Sequence, residues 1–218
     1  MEGQPLGIAV EGAGKRYGRQ WILRGVDLDV APGSMLAILG ANGSGKSSLL
    51  RMLCAFDRPS EGRISWQWEG QQLDPMDTPL HVAYCAPDQA LISDLDVAEH
   101  IALHFELRRG LAGIDVPGAL ELARLETKGH VRVGNLSSGM RQRLSLTLAF
   151  ATDACALFLD EPTSHLDQEG RSWYAGLVEG WRQGRTLVVA SNHDQGEYPG
   201  VDATLDVSKG HYEKHINH

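Results

Sequence analysis

The sequence predicts an α/β fold: a mostly parallel sheet covered by helices, with an N-terminal antiparallel β piece and a helical insertion. Three observations carry that prediction. Short apolar runs alternate with segments of helical spacing, the pattern of strands that cross over through helices into a parallel sheet. The apolar run Met35-Leu36-Ala37-Ile38-Leu39 opens into a glycine-rich loop and then into Ser48-Leu49-Leu50-Arg51-Met52-Leu53. A second apolar run, Ala156-Leu157-Phe158-Leu159, ends in two carboxylates, Asp160 and Glu161.

Taken in order, Gly7–Glu11 and Trp21–Val30 read as strands. The second alternates from Val26 to Val30 and stops at the turn Ala31-Pro32-Gly33. Beyond the loop's helix, Pro59-Ser60-Glu61-Gly62 is a turn and Arg63–Trp68 a strand, with Trp66 and Trp68 on one face for packing. His81–Cys85 reads as a buried strand. From about Asp94 to Thr127 the texture changes. Val97, Ile101 and Leu103-His104-Phe105 recur at helical spacing, then Leu120–Leu125, with Gly110–Gly118 breaking the two. The remainder alternates again: a helix over Ser138–Thr152, a strand over Ala154–Leu159, a helix over Gln168–Arg182, a strand over Thr186–Ala190 and a last strand over Ala203–Val207.

Gly40-Ala41-Asn42-Gly43-Ser44-Gly45-Lys46-Ser47 fits G-x-x-x-x-G-K-[ST], and its strand–loop–helix setting is the one that a phosphate-binding loop requires. This predicts a P-loop NTPase core. Gly40, Gly43 and Gly45 allow backbone conformations that a Cβ forbids. Successive N–H groups from Gly40 to Ser48 can then cradle phosphate at the positive end of the helix. Lys46 is placed to reach the β- and γ-phosphates, and the Ser47 hydroxyl to ligate Mg²⁺. A buried strand that delivers Asp160 at its tip supplies a second oxygen for Mg²⁺, and Glu161 beside it can act as general base toward water.

Composition narrows the classes. The net charge of −8 argues against a nucleic-acid surface, which needs a basic face. Cys54, Cys85 and Cys155 have no metal-like spacing and read as reduced core thiols in a cytosolic protein. No apolar run approaches the roughly 18 residues of a membrane span. Met1-Glu2-Gly3-Gln4-Pro5 lacks the features of a signal peptide, so a membrane role is expected to go through a partner. His100 and His104 lie four apart beside Glu99, a spacing open to metal, but no third ligand is near in sequence; His211, His215 and His218 read as a solvated tail.

Leu136-Ser137-Ser138-Gly139-Met140-Arg141-Gln142-Arg143 resembles the signature motif, usually LSGGQ, of ATP-binding cassette (ABC) transporter subunits, and it lies between the P-loop and Asp160 as in that family. Read alone, Ser-Ser-Gly is an ordinary helix cap. Other elements are similar in the same order. Tyr17 matches the aromatic that stacks on adenine, Ser164-His165-Leu166-Asp167 the D-loop, and His193 the switch histidine. The Ser-Ser-Gly-Met form resembles the ATPases of ABC-2-type exporters. Cys85–Leu91 should hold the Q-loop glutamine. Gln89 is the candidate, although counting back from Leu95-Asp96-Val97 puts the usual position nearer Pro87. Ala55 stands where a glycine is common, a change expected to matter only for packing.

The resemblance implies a single ABC ATPase domain over 1–218, with a RecA-like core of about 1–93 and 141–218 and a helical signature subdomain of about 94–140. It implies ATP hydrolysis with Glu161, His193 and Lys46 as catalytic residues. ATP is held by Tyr17 and by Gly40, Ala41, Asn42, Gly43, Ser44, Gly45, Lys46, Ser47 and Ser48. Mg²⁺ is held by Ser47, Asp160 and Gln89. Ser137, Ser138, Gly139 and Met140 face the ATP of a partner copy. The cofactors are then ATP and Mg²⁺. The partners are an integral membrane permease subunit and, with ATP, a second copy of the chain; no nucleic acid is expected. The subunit would be cytoplasmic, peripheral on the inner face of the cell membrane, and energise transport, with export favoured. The alternative is a soluble ABC-type ATPase acting on ribosomes or nucleic acid. Such proteins usually carry two cassettes or a long coiled-coil insertion, and neither is present in this sequence.

Overall fold

The computed structural model describes residues 4–87, 91–207 and 214–216, the last three by their backbone only. By compactness the chain divides into one unit of 1–84, 154–161 and 182–218 and another of 85–153 and 162–181. The second unit takes in the segment expected as the signature subdomain and adds the two long helices that flank residues 152–167.

The first unit contains two sheets. β1 (Gly7–Tyr17) and β2 (Gln20–Val30) form a hairpin, and β4 (Glu61–Trp68) and β5 (Gln71–Leu73) complete an antiparallel sheet of order β2-β1-β4-β5. β1 runs past the expected Glu11 because it carries irregularities: its register with β2 shifts between Val10 and Ala13 and again on either side of Lys15. Each shift breaks the two-residue alternation by which a strand is read. β5 was not expected, since Gln71-Gln72-Leu73 has no apolar pattern. It follows a tight turn in which Glu69 and Gly70 both have positive φ (52° and 75°), as the hairpin turn there demands.

The other sheet has the order β10-β9-β3-β8-β7-β6. β3 (Met35–Leu39) sits inside it, paired in parallel with β8 (Thr186–Ser191) on one side and β9 (Ala203–Asp206) on the other. β7 (Ala156–Asp160) extends the parallel set from β8, and β6 (Val82–Cys85) takes the far edge. β3, β7 and β8 are buried along nearly their whole length, so they read as nearly unbroken apolar runs. β10 (Lys214–Ile216) pairs antiparallel with β9 and adds a strand after the expected last one. Leu36, Ile38, Phe158 and Val188 share one apolar core with Ile8, Val10, Val26 and Ile64 of the antiparallel sheet and with Leu49, Leu50 and Leu53 of α1 (Lys46–Leu53).

The end of α1 corrects one reading. Ala55 N donates to Met52 O (3.1 Å) and Phe56 N to Arg51 O (2.9 Å), the paired backbone bonds of a helix cap whose central residue is left-handed. Ala55 is that residue, with φ of 60°. The position asks for glycine because of its backbone, not only because of its packing. Trp66 closes the same helix end, its indole N–H donating to Leu53 O at 2.7 Å.

The second unit is helical. α2 (Val97–Leu107) opens with a capping box in which Asp96 N donates to Glu99 Oε2 (3.0 Å), and it buries Val97 and Ile101 one turn apart. α3 (Val116–Leu122) is capped by Asp115, which accepts from Gly118 N (2.8 Å). α4 (Ser138–Ala151) is capped by Ser137, which accepts from Met140 N (3.2 Å). Val97, Ile101, Ala119, Leu144 and Leu148 pack in one core. α5 (Gln168–Trp181) is fastened to α3 by Trp173 Nε1 donating to Leu122 O (2.8 Å) and by the Arg124–Glu169 ion pair (2.7 Å).

His100 and His104 serve this packing. His100 is 9% exposed. His104 Nε2 lies 2.9 Å from Thr152 Oγ1, whose own hydroxyl donates to Leu148 O, so the imidazole is the donor. Among the described residues no group of three His, Cys, Asp or Glu side chains could hold a metal. Cys54, Cys85 and Cys155 are all buried, and burial pushes the Cys54 thiol up to about 12.

Two measurements check these readings. Ala55→Gly should raise stability by about 1 kcal/mol, seen as a rise of about 2–4 °C in Tm; no change would mean that the left-handed alanine carries no strain. Burial, reinforced by the charges of Arg108 and His100, lowers His104 from 6.5 to about 4. The unfolded chain therefore binds the extra proton first as pH falls. The stability from a neutral His104 is full above pH 6.5 and lost as pH drops toward 4. Urea midpoints should fall by the equivalent of roughly 2 kcal/mol over that window, and His104→Gln should flatten the slope.

Candidate active site

Three strands of the first unit end level with one another. Leu39 pairs with Ser191, and Asp160 pairs with Ala190. The segments that follow, Gly40–Ser47 after β3, Glu161 after β7 and Asn192–His193 after β8, therefore leave the sheet at one edge. The carboxyl ends of parallel strands are where open α/β sheets place ligands.

The loop is shaped by its glycines and by its neighbours. Gly40, Gly43 and Gly45 have φ of 157°, 79° and 100°. A Cβ at Gly45 would lie 2.9 Å from both Ile22 Cγ2 and Leu23 Cγ, so β2 packs directly on the loop. Ser44 N donates back to Ala41 O (3.1 Å), and Ala41, Asn42 and Gly43 are exposed at the crest. Ser47 is exposed on the first turn of α1 and Ser48 is half-buried.

Lys46 is the most enclosed polar group of the loop, 4% exposed. Its Nζ donates to Gly40 O (2.9 Å) and Ala41 O (3.3 Å) and lies 3.5 Å from Glu161 Oε1. The loop thus holds a cation at its centre, with one carboxylate facing it from β7. Asp160 is 6% exposed at the tip of that strand. Glu161 has φ of 42° and is fixed by its N–H, which donates to Ala190 O at 2.9 Å. His193 has φ of 60° and stands exposed beside a turn closed by Asp194 N donating to Ser191 Oγ (3.1 Å). Two non-glycine residues in left-handed conformations at one sheet edge are a strain that only a rigid surround maintains.

Of the residues marked in the sequence, the structure brings Gly40, Ala41, Lys46 and Glu161 into direct contact. Among the described residues, no hydrogen bond joins His193 to that cluster. Tyr17 ends β1 and is 52% exposed, and its hydroxyl donates to Asp57 Oδ2 (3.0 Å). The sequence carried no signal for Asp57, which lies forty residues from Tyr17. Gln89 lies outside the described residues.

In the second unit, Ser137, Ser138, Gly139 and Met140 line a cavity of about 240 Å³ together with Arg143, His165 and Asp167. Ser137 and Ser138 are exposed at the start of α4. A Cβ at Gly139 would sit 3.0 Å from His165 O, so the glycine lets the loop before α5 approach. Gln142 secures that loop by donating to Pro162 O (2.8 Å).

The family model described as ABC transporter matches residues 23–164. The chain belongs to the ABC transporter family. Its ABC cassette is 33% identical over 217 residues to the sulfate/thiosulfate import ATP-binding protein CysA of Thermosynechococcus vestitus, covering 96% of this chain and 63% of that protein. It is 37% identical to the daunorubicin resistance ATP-binding protein DrrA3 of Streptomyces coeruleorubidus, covering 83% and 56%. It is 36% identical to the Nod factor export ATP-binding protein I of Burkholderia pseudomallei, covering 82% and 60%. The chain spans about six tenths of the length of these curated relatives. The dimeric post-hydrolysis structure of the ATP-binding cassette MJ0796 bound to ADP and Pi superposes with a TM-score of 0.81 over 96% of this chain and 98% of that one, at 22% identity, a likeness of fold. A bacterial Atm1-family ABC exporter with ATP bound gives 0.82 at 25% identity, covering 98% of this chain and 39% of that one. The α/β expectation is met by these likenesses of fold. Importer and exporter names both occur among its relatives. Among the described residues no helix is long and apolar enough to cross a membrane.

Proposed function

We propose that this ABC cassette hydrolyses ATP as one half of an ATP-gated homodimer and that the cycle drives export through a separate integral membrane subunit. The observation that carries the reading is the meeting of Lys46 and Glu161, 3.5 Å apart, at the sheet edge where the glycine loop emerges. A cation held by two loop carbonyls is poised to exchange them for phosphate oxygens, which carry full charge. Releasing Lys46 to phosphate frees the Glu161 carboxylate for water.

Each residue has a task in this reading. The N–H groups from Gly40 to Ser48 cradle the phosphates at the start of α1. Tyr17 offers its exposed ring to the adenine. Glu161 orients and deprotonates the attacking water. His193 reaches the γ-phosphate from the turn after β8. The exposed Ser47 hydroxyl and the Asp160 carboxylate are hard oxygen donors, which suit Mg²⁺. When bound, that ion supplies charge neutralisation to the phosphates. Ser137, Ser138 and Gly139 of a second copy close over the γ-phosphate and exclude water apart from the one that Glu161 holds. Loss of the γ-phosphate removes those contacts and reopens the pair. Ser138 and Met140 in the signature, with DrrA3 and the Nod factor export protein among the relatives, support export; the CysA relatives are named as importers. The cassette would then sit against the cytoplasmic face of the membrane, held there by its permease.

Glu161→Gln should keep ATP affinity, lose about 10²–10⁴ in turnover and elute as a dimer in ATP; a normal hydrolysis rate removes Glu161 from the role of base. Lys46→Ala should weaken ATP binding by at least about tenfold in calorimetry, and unchanged affinity sinks the phosphate-loop assignment. Co-purification from detergent extracts tests the partner: a stoichiometric polytopic subunit is expected.

A further inference from the structure

Asp57 lies just past the end of α1 and holds two groups of β1 at once. Its Oδ2 accepts the Tyr17 hydroxyl at 3.0 Å and its Oδ1 accepts Lys15 Nζ at 2.5 Å. Lys15 also donates to Arg58 O (2.8 Å), and its Nζ stands 5.2 Å from the centre of the Tyr17 ring. Tyr17 therefore has a cation beside its ring and its hydroxyl clamped, while the residue is still about half exposed. Asp57 itself is fixed by its N–H donating to Arg51 O (3.1 Å). The same short stretch is tied to β1 again where Ser60 N donates to Gly14 O (2.7 Å) and Arg16 N to Ser60 Oγ (3.1 Å).

We propose that Asp57 is the positioning residue for the base end of the nucleotide, holding the Tyr17 ring in the orientation that accepts adenine. The inference rests on the ATP reading above and deepens it. α1 begins at the phosphate loop and ends at the turn that carries Asp57, so one helix links the triphosphate cradle to the base platform. Partial burial opposes the charge on Asp57, but the hydrogen bonds from Lys15 and Tyr17, with the Lys15 charge, outweigh it and hold the carboxyl below its ordinary value. The clamp is therefore ionised, and at its strongest, at neutral pH. A tyrosine ordered before binding loses less freedom when the base arrives.

The test separates base from phosphate. Affinities for ATP and for inorganic triphosphate are measured by calorimetry on the wild-type chain, Tyr17→Phe and Asp57→Ala. Tyr17→Phe keeps the ring and leaves the Lys15–Asp57 pair in place, so it holds the test open if Asp57→Ala folds poorly. Each variant should bind ATP about fivefold more weakly, the scale of one lost hydrogen bond. The double variant should be no worse than the weaker single one, since both break the same link. Triphosphate affinity should not move. ATP binding like the wild type's in Tyr17→Phe overturns the proposal. A parallel fall for triphosphate overturns it too, by making Asp57 a structural support of the loop. Wild-type protein that binds neither ligand refutes the ATP reading itself and the clamp with it.

Discussion

The architecture of the candidate site depends on the register of one buried parallel strand. β3 is hydrogen-bonded along both edges, to β8 and to β9, and most of its side chains are buried. It cannot slide without breaking two ladders and moving Leu36 and Ile38 out of the core. Burial of each such side chain contributes about 1.5–3 kcal/mol. The left-handed backbone at Glu161 or His193 costs on the order of 1–3 kcal/mol apiece. The strand core outweighs the strain at its tips, so the strained residues stay where the register puts them. Lys46 follows the same logic. Its charge is kept away from water by two loop carbonyls and one carboxylate, all positioned by β3 and β7.

Backbone conformation separates two kinds of non-glycine strain in this unit. Glu161 and His193 are strained at the edge where the chemistry is proposed. Ala55 is strained at a helix end, and its side chain faces no reacting group. The first kind falls on groups that the proposed hydrolysis would use; the second is a local concession of sequence to fold. A positive φ by itself does not distinguish them, and the neighbouring groups do.

What could be read from the sequence follows from what kind of order produces each element. The glycine loop, β3, β7 and β8 were legible because a buried parallel strand is apolar throughout and G-x-x-x-x-G-K-[ST] is a fixed pattern of residues. β1 was read only to Glu11, because shifts in register erase alternation. β5 and β10 were missed, since Gln71-Gln72-Leu73 and Lys214-His215-Ile216 are held by a hairpin turn and by an edge pairing, not by an apolar face. The helical insertion was read from its spacing; the compact unit that contains it also takes in α4 and α5, and helix-on-helix packing leaves no mark of that in the sequence. The contact between Tyr17 and Asp57 was invisible for a simpler reason: a hydrogen bond across forty residues has no pattern. His104 was noted only for a metal-like spacing that lacked a third ligand in sequence; its place as a half-buried donor to Thr152, 48 residues away, has no pattern to read.

Trp66 and Trp173 end two helices in the same manner. Each indole donates to the carbonyl of a helix's last residue, Leu53 of α1 in one unit and Leu122 of α3 in the other, where the helix has no further N–H to offer. Both rings are nearly enclosed, 4% and 7% exposed. Each compact unit thus has a buried chromophore whose emission depends on the integrity of one named helix end. With one tryptophan retained at a time, fluorescence becomes an optical record of whether the two units melt together or apart, with no label attached.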